Sequence, residues 1–208
     1  MIIVQFNHPL VEYIMSTPSN FSEQGVDLEH QEFCDQLKKL ADDGIGGDEL
    51  TVLVREVMED RDERRVQGLL DQWGKDVAYN ILQWGMFWQY PGVEIALPYF
   101  HTLTQKQQRK LAYEAVSEGY TEVLEQALPI LTIDDQCIII DQTFELFPKM
   151  AQMIYKSCDP PKVIEALKIK ERHEAAQWLF DLHRPVHEKQ ILEEVTAGNG
   201  VQKARNKI

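Results

Sequence analysis

Apolar residues recur along most of this chain at three- and four-residue spacing, and glycine or proline interrupts the pattern before any stripe grows long. A period near 3.6 places such residues on one face of an α-helix, whereas a half-buried strand needs strict alternation. Leu28, Phe33, Leu37 and Leu40 open the series, with Gly44 available to end the helix. After a glycine-rich turn at 45–47, Asp48 is expected to cap a helix whose apolar face is Leu50, Leu53, Val54, Val57 and Met58. The charged stretch 60–65 marks a helix junction. Val66, Leu69, Leu70 and Trp73 form the next face, Gly74 a break, and Val77, Ile81, Leu82 and Trp84 begin a helix that should end before Pro91.

The second half predicts a further set of short helices. Thr104 caps one that ends at Gly119, residues 120–128 form a second stopped near Pro129, and Thr132 or Asp134 opens a third carrying Ile138, Ile139, Phe144 and Leu146. Pro148 breaks that helix, residues 149–155 make a fourth, and Pro160 and Pro161 start a fifth holding Val163, Ile164 and Leu167. A sixth contains Ala175, Ala176, Trp178 and Leu179. Pro185 is expected to break the chain again before a last helix at 191–195, and the basic tail 198–208 is expected to fray. At the other end, residues 2–6 read as a short strand or an apolar arm on the core. Asn7 and Pro9 start a short helix reaching about Met15, and 16–25 reads as a loop, with the next helix starting at Asp27.

Helix, tight break and helix thus recur, with breaks at Pro91-Gly92, Gly119, Pro148 and near Glu171, roughly 25 to 30 residues apart. The stretch LAYEAVSEGYTEVLEQAL at 111–128 resembles an ankyrin repeat: a small-residue helix leads through Gly119 and a short link into a second helix. Residues 144–157 fit the same outline with Pro148 at the turn, and 167–182 fit it less well because neither Gly nor Pro marks their turn. The Thr-Pro-Leu-His signature of ankyrin repeats is missing. The resemblance implies an all-α array of stacked helical hairpins, an irregular α-solenoid or ankyrin-like array, presenting a concave face to another macromolecule. A compact helical bundle is the alternative. The organisation read from the sequence is an acidic helical region at 1–90, a helical-hairpin region at 91–196 and a flexible basic tail at 197–208, expected to form one continuous structural unit.

A length of 208 residues allows a substantial core, and 44% hydrophobic with 26% charged residues is the balance of a folded chain. The formal net charge of -13 disfavours direct binding to nucleic acid or anionic membrane, since phosphate binding needs Lys and Arg to displace counterions. It suits a basic protein partner, or mimicry of a nucleic acid, or solubility alone. The longest uncharged run, between Asp76 and Glu94, contains Asn80, Gln83, Gln89 and Pro91 and is too polar to span a bilayer. No basic-then-apolar leader opens the sequence. Cys34, Cys137 and Cys158 lie far apart and form no disulfide framework; free thiols in a reducing compartment, and hence the cytoplasm, are the expectation.

Candidate chemistry is sparse. His30 and Cys34 stand four apart on one helix, and His183 and His187 four apart across Pro185, but zinc needs three or four protein ligands. Pro185 is expected to spoil the alignment of the second pair. Asp134 and Asp135, with Asp141 beyond, could act as paired carboxylates, yet a helix start favours acidic groups by itself. Gly44, Gly46 and Gly47 follow a helix, so they form a turn and not a phosphate loop. No catalytic residue, metal or cofactor is assigned, although a catalytic site assembled from distant residues stays an alternative. Two surfaces stand out. One is acidic, with Asp42, Asp43, Asp48, Glu49, Glu56, Glu59 and Asp60 beside partly compensating arginines. The other is aromatic, and Trp84, Trp88 and Tyr90 lead it; such residues fill helical cores and also anchor interfaces. The reading is a non-enzymatic inhibitor or adaptor that engages a basic surface of a protein partner through the acidic half or a groove of the array.

Overall fold

The structure, a computed structural model, describes residues 23–90 and 92–205. The strand or arm at 2–6 and the short helix at 9–15 lie outside the described residues, as does most of the expected loop at 16–25. Among the described residues the fold is all-α, built from packed helix pairs. Two compact units divide the chain, Met1–Ala127 and Leu128–Ile208.

In the first unit the order is α1 (Glu23–Asp42), α2 (Gly47–Glu59), α3 (Glu63–Trp73), α4 (Lys75–Phe87), α5 (Gly92–Ala96), a 3-10 segment (Leu97–Thr102), α6 (Gln105–Glu118) and α7 (Thr121–Ala127). Each helix packs on the one two places further along: α1 on α3, α2 on α4, α3 on α5 and α4 on α6. Sequential neighbours close the layers, α3 on α4 and α6 on α7 among them. The stripes read from the sequence are the buried faces: Leu37 and Leu40 of α1, Leu53 and Val54 of α2, Leu69 and Leu70 of α3, and Ile81 and Leu82 of α4 are all at most 1% exposed. Fully burying a side chain of this size is worth roughly 1.5–3 kcal/mol, which short helices need because they are marginal alone.

Local chemistry sets the ends of these helices. Asp62 caps α3, accepting from the backbone N–H of Arg64 at 3.0 Å and of Arg65 at 3.4 Å. Thr104 forms a capping box with Gln107 at the start of α6. At the end of α4 the N–H of Tyr90 donates to the Gly85 carbonyl at 2.8 Å and that of Gln89 to Met86 at 3.2 Å. This is a Schellman closure with Gln89, at φ 51°, in the left-handed position that glycine usually fills. Gly119 fills the equivalent position after α6 with φ 82°. Gly85 serves by smallness instead: a Cβ there would stand 2.6 Å from Val93 Cγ2, so any larger residue would push α5 off α4.

The second unit holds a 3-10 segment (Leu128–Ile130), α8 (Ile133–Thr143), α9 (Pro148–Ser157), α10 (Pro160–Ile169) and α11 (His173–Arg205). α8 packs on both α9 and α10, and α10 on α11. Its buried residues include Ile139 and Ile140 of α8, Ile154 of α9, Leu167 of α10 and Leu179 of α11.

Four sequence expectations need correction. α1 begins at Glu23 and not at Asp27. Asp48 does not cap α2; Gly46 is the N-cap, and Asp48 sits in the first turn, where its charge meets the positive helix end. On α8 the inward pair is Ile139 and Ile140, while Ile138 is 41% and Leu146 76% exposed, because the helix ends at Thr143 and Leu146 lies beyond it. Pro185 does not break the chain, since α11 runs through it. A proline inside a helix removes one donor and crowds the carbonyl four residues back. Here the flanking turn is held by Arg184, which pairs with Asp181 and lies 5.2 Å from the Phe180 ring centroid.

Candidate functional site

The acidic residues that the sequence grouped together fall at the two ends of α2. Asp42 closes α1, Asp43 follows it in the turn, and Asp48 and Glu49 occupy the first turn of α2. Glu56, Glu59 and Asp60 lie at the other end, about 16 Å away at 1.5 Å per helical residue. At that far end arginines answer the carboxylates. Arg55 lies 3.5 Å from Glu56 and 3.8 Å from Glu59, and Arg65 lies 3.0 Å from Asp60 and 3.7 Å from Asp62. Pairs with an exposed partner add little stability, but over 55–65 Arg55, Arg61, Arg64 and Arg65 offset four of the five carboxylates Glu56, Glu59, Asp60, Asp62 and Glu63. Asp42, Asp48 and Glu49 carry no ion pair among the described residues. The acidic surface is thus one small patch at the start of α2, with a nearly neutral, mixed-charge end opposite.

α4 is more informative, because it carries two apolar stripes. Val77, Ala78, Ile81, Leu82, Gly85 and Met86 form the buried one. Trp84, Phe87 and the C-capping Trp88 form the other, and with Gln83 it faces a groove of about 370 Å³ whose opposite wall is Glu114 and Glu118 of α6. The Trp84 and Trp88 rings are stacked, with centroids 6.1 Å apart and planes 26° apart. Phe87 is 66% exposed. Gln83 Nε2 donates to Glu114 Oε1 at 2.6 Å and fixes one wall to the other. Lys110 Nζ lies 3.7 Å from Glu114 Oε1 and 5.6 Å from the Tyr79 ring centroid, next to the groove and outside its lining.

Tyr90, grouped with the tryptophans from the sequence, belongs to the core at 2% exposure. Burial, helped by Glu63 and Asp62, pushes its phenol up to about 12. Tyr90 also lines a second groove of about 290 Å³, together with Gln89, Val93, Glu94, Leu97, Tyr120 and Glu122. Burial, then Glu118 and Glu122, also raises Tyr120.

The other candidate chemistry resolves into structural roles. Thr132 and Asp135 form a capping box at the start of α8, with Thr132 Oγ1 donating to Asp135 Oδ2 at 2.7 Å. Asp134 pairs with Lys170 at 3.0 Å, and Asp141 with Arg172 at 3.4 Å, so these acids tie α8 to α10 and to the turn after it. Cys34 Sγ lies 3.6 Å from His30 Nε2, and burial raises its thiol, as it does those of Cys137 and, to about 11, Cys158. All three cysteines are free, and thiols shifted this way are poor nucleophiles. The helix through Pro185 stacks the His183 and His187 rings with centroids 6.1 Å apart, contrary to the expected misalignment, and Tyr155 Oη lies 3.4 Å from His183 Nδ1. Among the described residues no group of three or more His, Cys, Asp or Glu is placed to hold a metal ion. Among the same residues no helix is long and apolar enough to cross a membrane.

Sequence reasoning found Trp84 and Trp88 but missed Gln83, Glu114 and Glu118 as their neighbours. The aromatic side of the groove had a readable signal: positions 83, 84, 87 and 88 interleave with 77, 78, 81, 82, 85 and 86, so α4 presents apolar residues on two faces. The acidic wall had none, because only the packing of α6 on α4 brings Glu114 and Glu118 there. Comparison with known proteins finds no family model, no curated protein and no solved structure that matches the chain.

Proposed function

We propose that this chain is a non-enzymatic protein-binding module, an inhibitor or adaptor, whose scaffold of stacked helical hairpins presents the α4–α6 groove to a basic surface of a partner. One observation carries the reading. Phe87 is two-thirds exposed, beside two stacked indoles and facing two carboxylates, although the same helix already has a complete buried face. Trp84 and Trp88 are half-buried and share in the packing, but Phe87 is left to solvent, and aromatic residues in a solvent-open groove are the residues that anchor interfaces. The acidic patch at the start of α2, Asp42, Asp43, Asp48 and Glu49, would steer a basic partner towards this unit and raise its association rate. Mimicry of a nucleic acid draws less support, because Arg55 and Arg65 dilute the carboxylates that would have to imitate phosphates. With three free thiols the reading places the chain in a reducing compartment such as the cytoplasm.

A photo-crosslinking residue at position 87 tests this. In native lysate it is expected to yield one dominant adduct with a single protein, reduced by Trp88→Ala. The same probe at Glu165, exposed on α10, should not yield that adduct. Identical adducts from both positions would remove the groove from the proposal.

A further inference from the structure

The geometry points to the α4–α6 groove as a receptor for an arginine side chain on the partner, its guanidinium laid on the Trp84–Trp88 pair and its charge met by Glu118. This rests on reading the groove as a protein-binding site. The chain's own aromatic rings supply the comparison. Phe33 has Arg65 at 5.2 Å from its centroid, Tyr79 has Lys110 at 5.6 Å, and Phe180 has Arg184 at 5.2 Å. Indole is the best cation acceptor of the aromatic side chains. Yet among the described residues neither Trp84 nor Trp88 has a cation over its ring. Glu118 likewise has no ion pair among the described residues. Glu114 is engaged by Gln83 and Lys110 through Oε1, while its Oε2 is buried without a hydrogen-bond partner; Glu118 is the carboxylate of the groove that carries no ion pair. Two near-parallel indoles, their planes 26° apart, with a carboxylate across the groove match a planar group that stacks and forks to an acid at once. Guanidinium has that shape, whereas ammonium is a compact, strongly hydrated point charge. A groove of about 370 Å³ accommodates such a side chain with part of its backbone.

The test follows the indole Nε1–H signals of the four tryptophans of the full-length, isotope-labelled protein, Trp73, Trp84, Trp88 and Trp178. The probes are capped Gly-Ser-X-Ser-Gly peptides with X as Arg, Lys, citrulline or Leu. The Arg peptide is expected to shift Trp84 and Trp88 while Trp73 and Trp178 stay fixed. It should bind roughly fivefold or more tightly than the Lys peptide, and citrulline, which keeps the shape without the charge, should lose most of the effect. Glu118→Gln should weaken the Arg peptide by roughly fivefold, with unmoved Trp73 and Trp178 signals certifying the fold. Equal response to Arg and citrulline, or to Arg and Lys, overturns the proposal. A Leu peptide that binds in place of Arg also overturns it and leaves the protein-binding reading standing. If no peptide moves the indoles, the arginine receptor is refuted, and the adduct from position 87 decides the wider reading separately.

Discussion

The two apolar stripes of α4 contain similar amounts of hydrocarbon and meet opposite fates. Val77, Ile81, Leu82 and Met86 are fully buried against neighbouring helices, while Trp84, Phe87 and Trp88 line an open groove one rotation away. Hydrophobicity alone does not separate them. What separates them is the direction in which α2, α3 and α5 approach, since each packs on α4, leaving the tryptophan side to α6 and solvent. A stripe that the fold uses and a stripe that the fold leaves open should then answer differently to the same truncation.

The largest contrast is expected between Leu82→Ala and Trp88→Ala. Emptying the Leu82 site, 0% exposed, should cost about 2–5 kcal/mol of unfolding free energy in a urea titration. Trp88→Ala deletes more atoms but removes a half-buried ring, and should cost less, about 1–2 kcal/mol. A Trp88 loss equal to that of Leu82 would mark the groove as core and end the distinction.

Next in size is the alkaline limb. Tyr90 has a folded-state phenol near 12, raised first by its burial, against about 10 in the unfolded chain. Between those values the unfolded state has released the proton and the native state still holds it. Stability is therefore intact below about pH 10 and falls as pH rises towards 12, by about 2–3 kcal/mol at most. Tyr90→Phe should flatten that part of the curve in chemical denaturation at stepped pH; an unchanged slope would assign the fall to other groups.

Gly85→Ala sharpens the comparison from the backbone side. The new methyl would meet Val93 Cγ2, so a loss of about 1–3 kcal/mol is expected, the usual cost of overpacking. The smallest effect should carry the opposite sign. Gln89 closes α4 at φ 51°, and Gln89→Gly is expected to gain about 0.5–1 kcal/mol by relieving a left-handed backbone, readable as a rise in thermal midpoint. A drop would mean that the Gln89 side chain supports the helix end.

These contrasts also explain which parts were legible beforehand. Thr104, Gly119, Pro148 and Thr132 carry local instructions, a cap or a stop, and the helices begin and end where such chemistry places them. The turn between α10 and α11 had no such mark: Glu171 takes the left-handed position at φ 60°, with Arg172 N–H donating to the Leu167 carbonyl at 2.9 Å. Packing of α10 on α11 imposes that turn on a residue that does not prefer it. Pro185 misled for the reverse reason, since a local helix breaker was overruled by helical turns on both sides. The acidic groups were visible as a charge run but not as an acidic end and a nearly neutral end of one helix, because α2 had to be given a length before its ends could be told apart. Glu118 could not be tied to the tryptophans at all, since that neighbourhood exists only once α6 lies on α4.

The three thiols held above their ordinary range have a practical reach beyond their own surroundings. Only the thiolate is alkylated, and burial keeps that form scarce at neutral pH. A fourth, solvent-facing cysteine replacing Phe87 would outrun all of them, so a dye or spin label could be set at the mouth of the groove without first stripping the native sulfur from the protein.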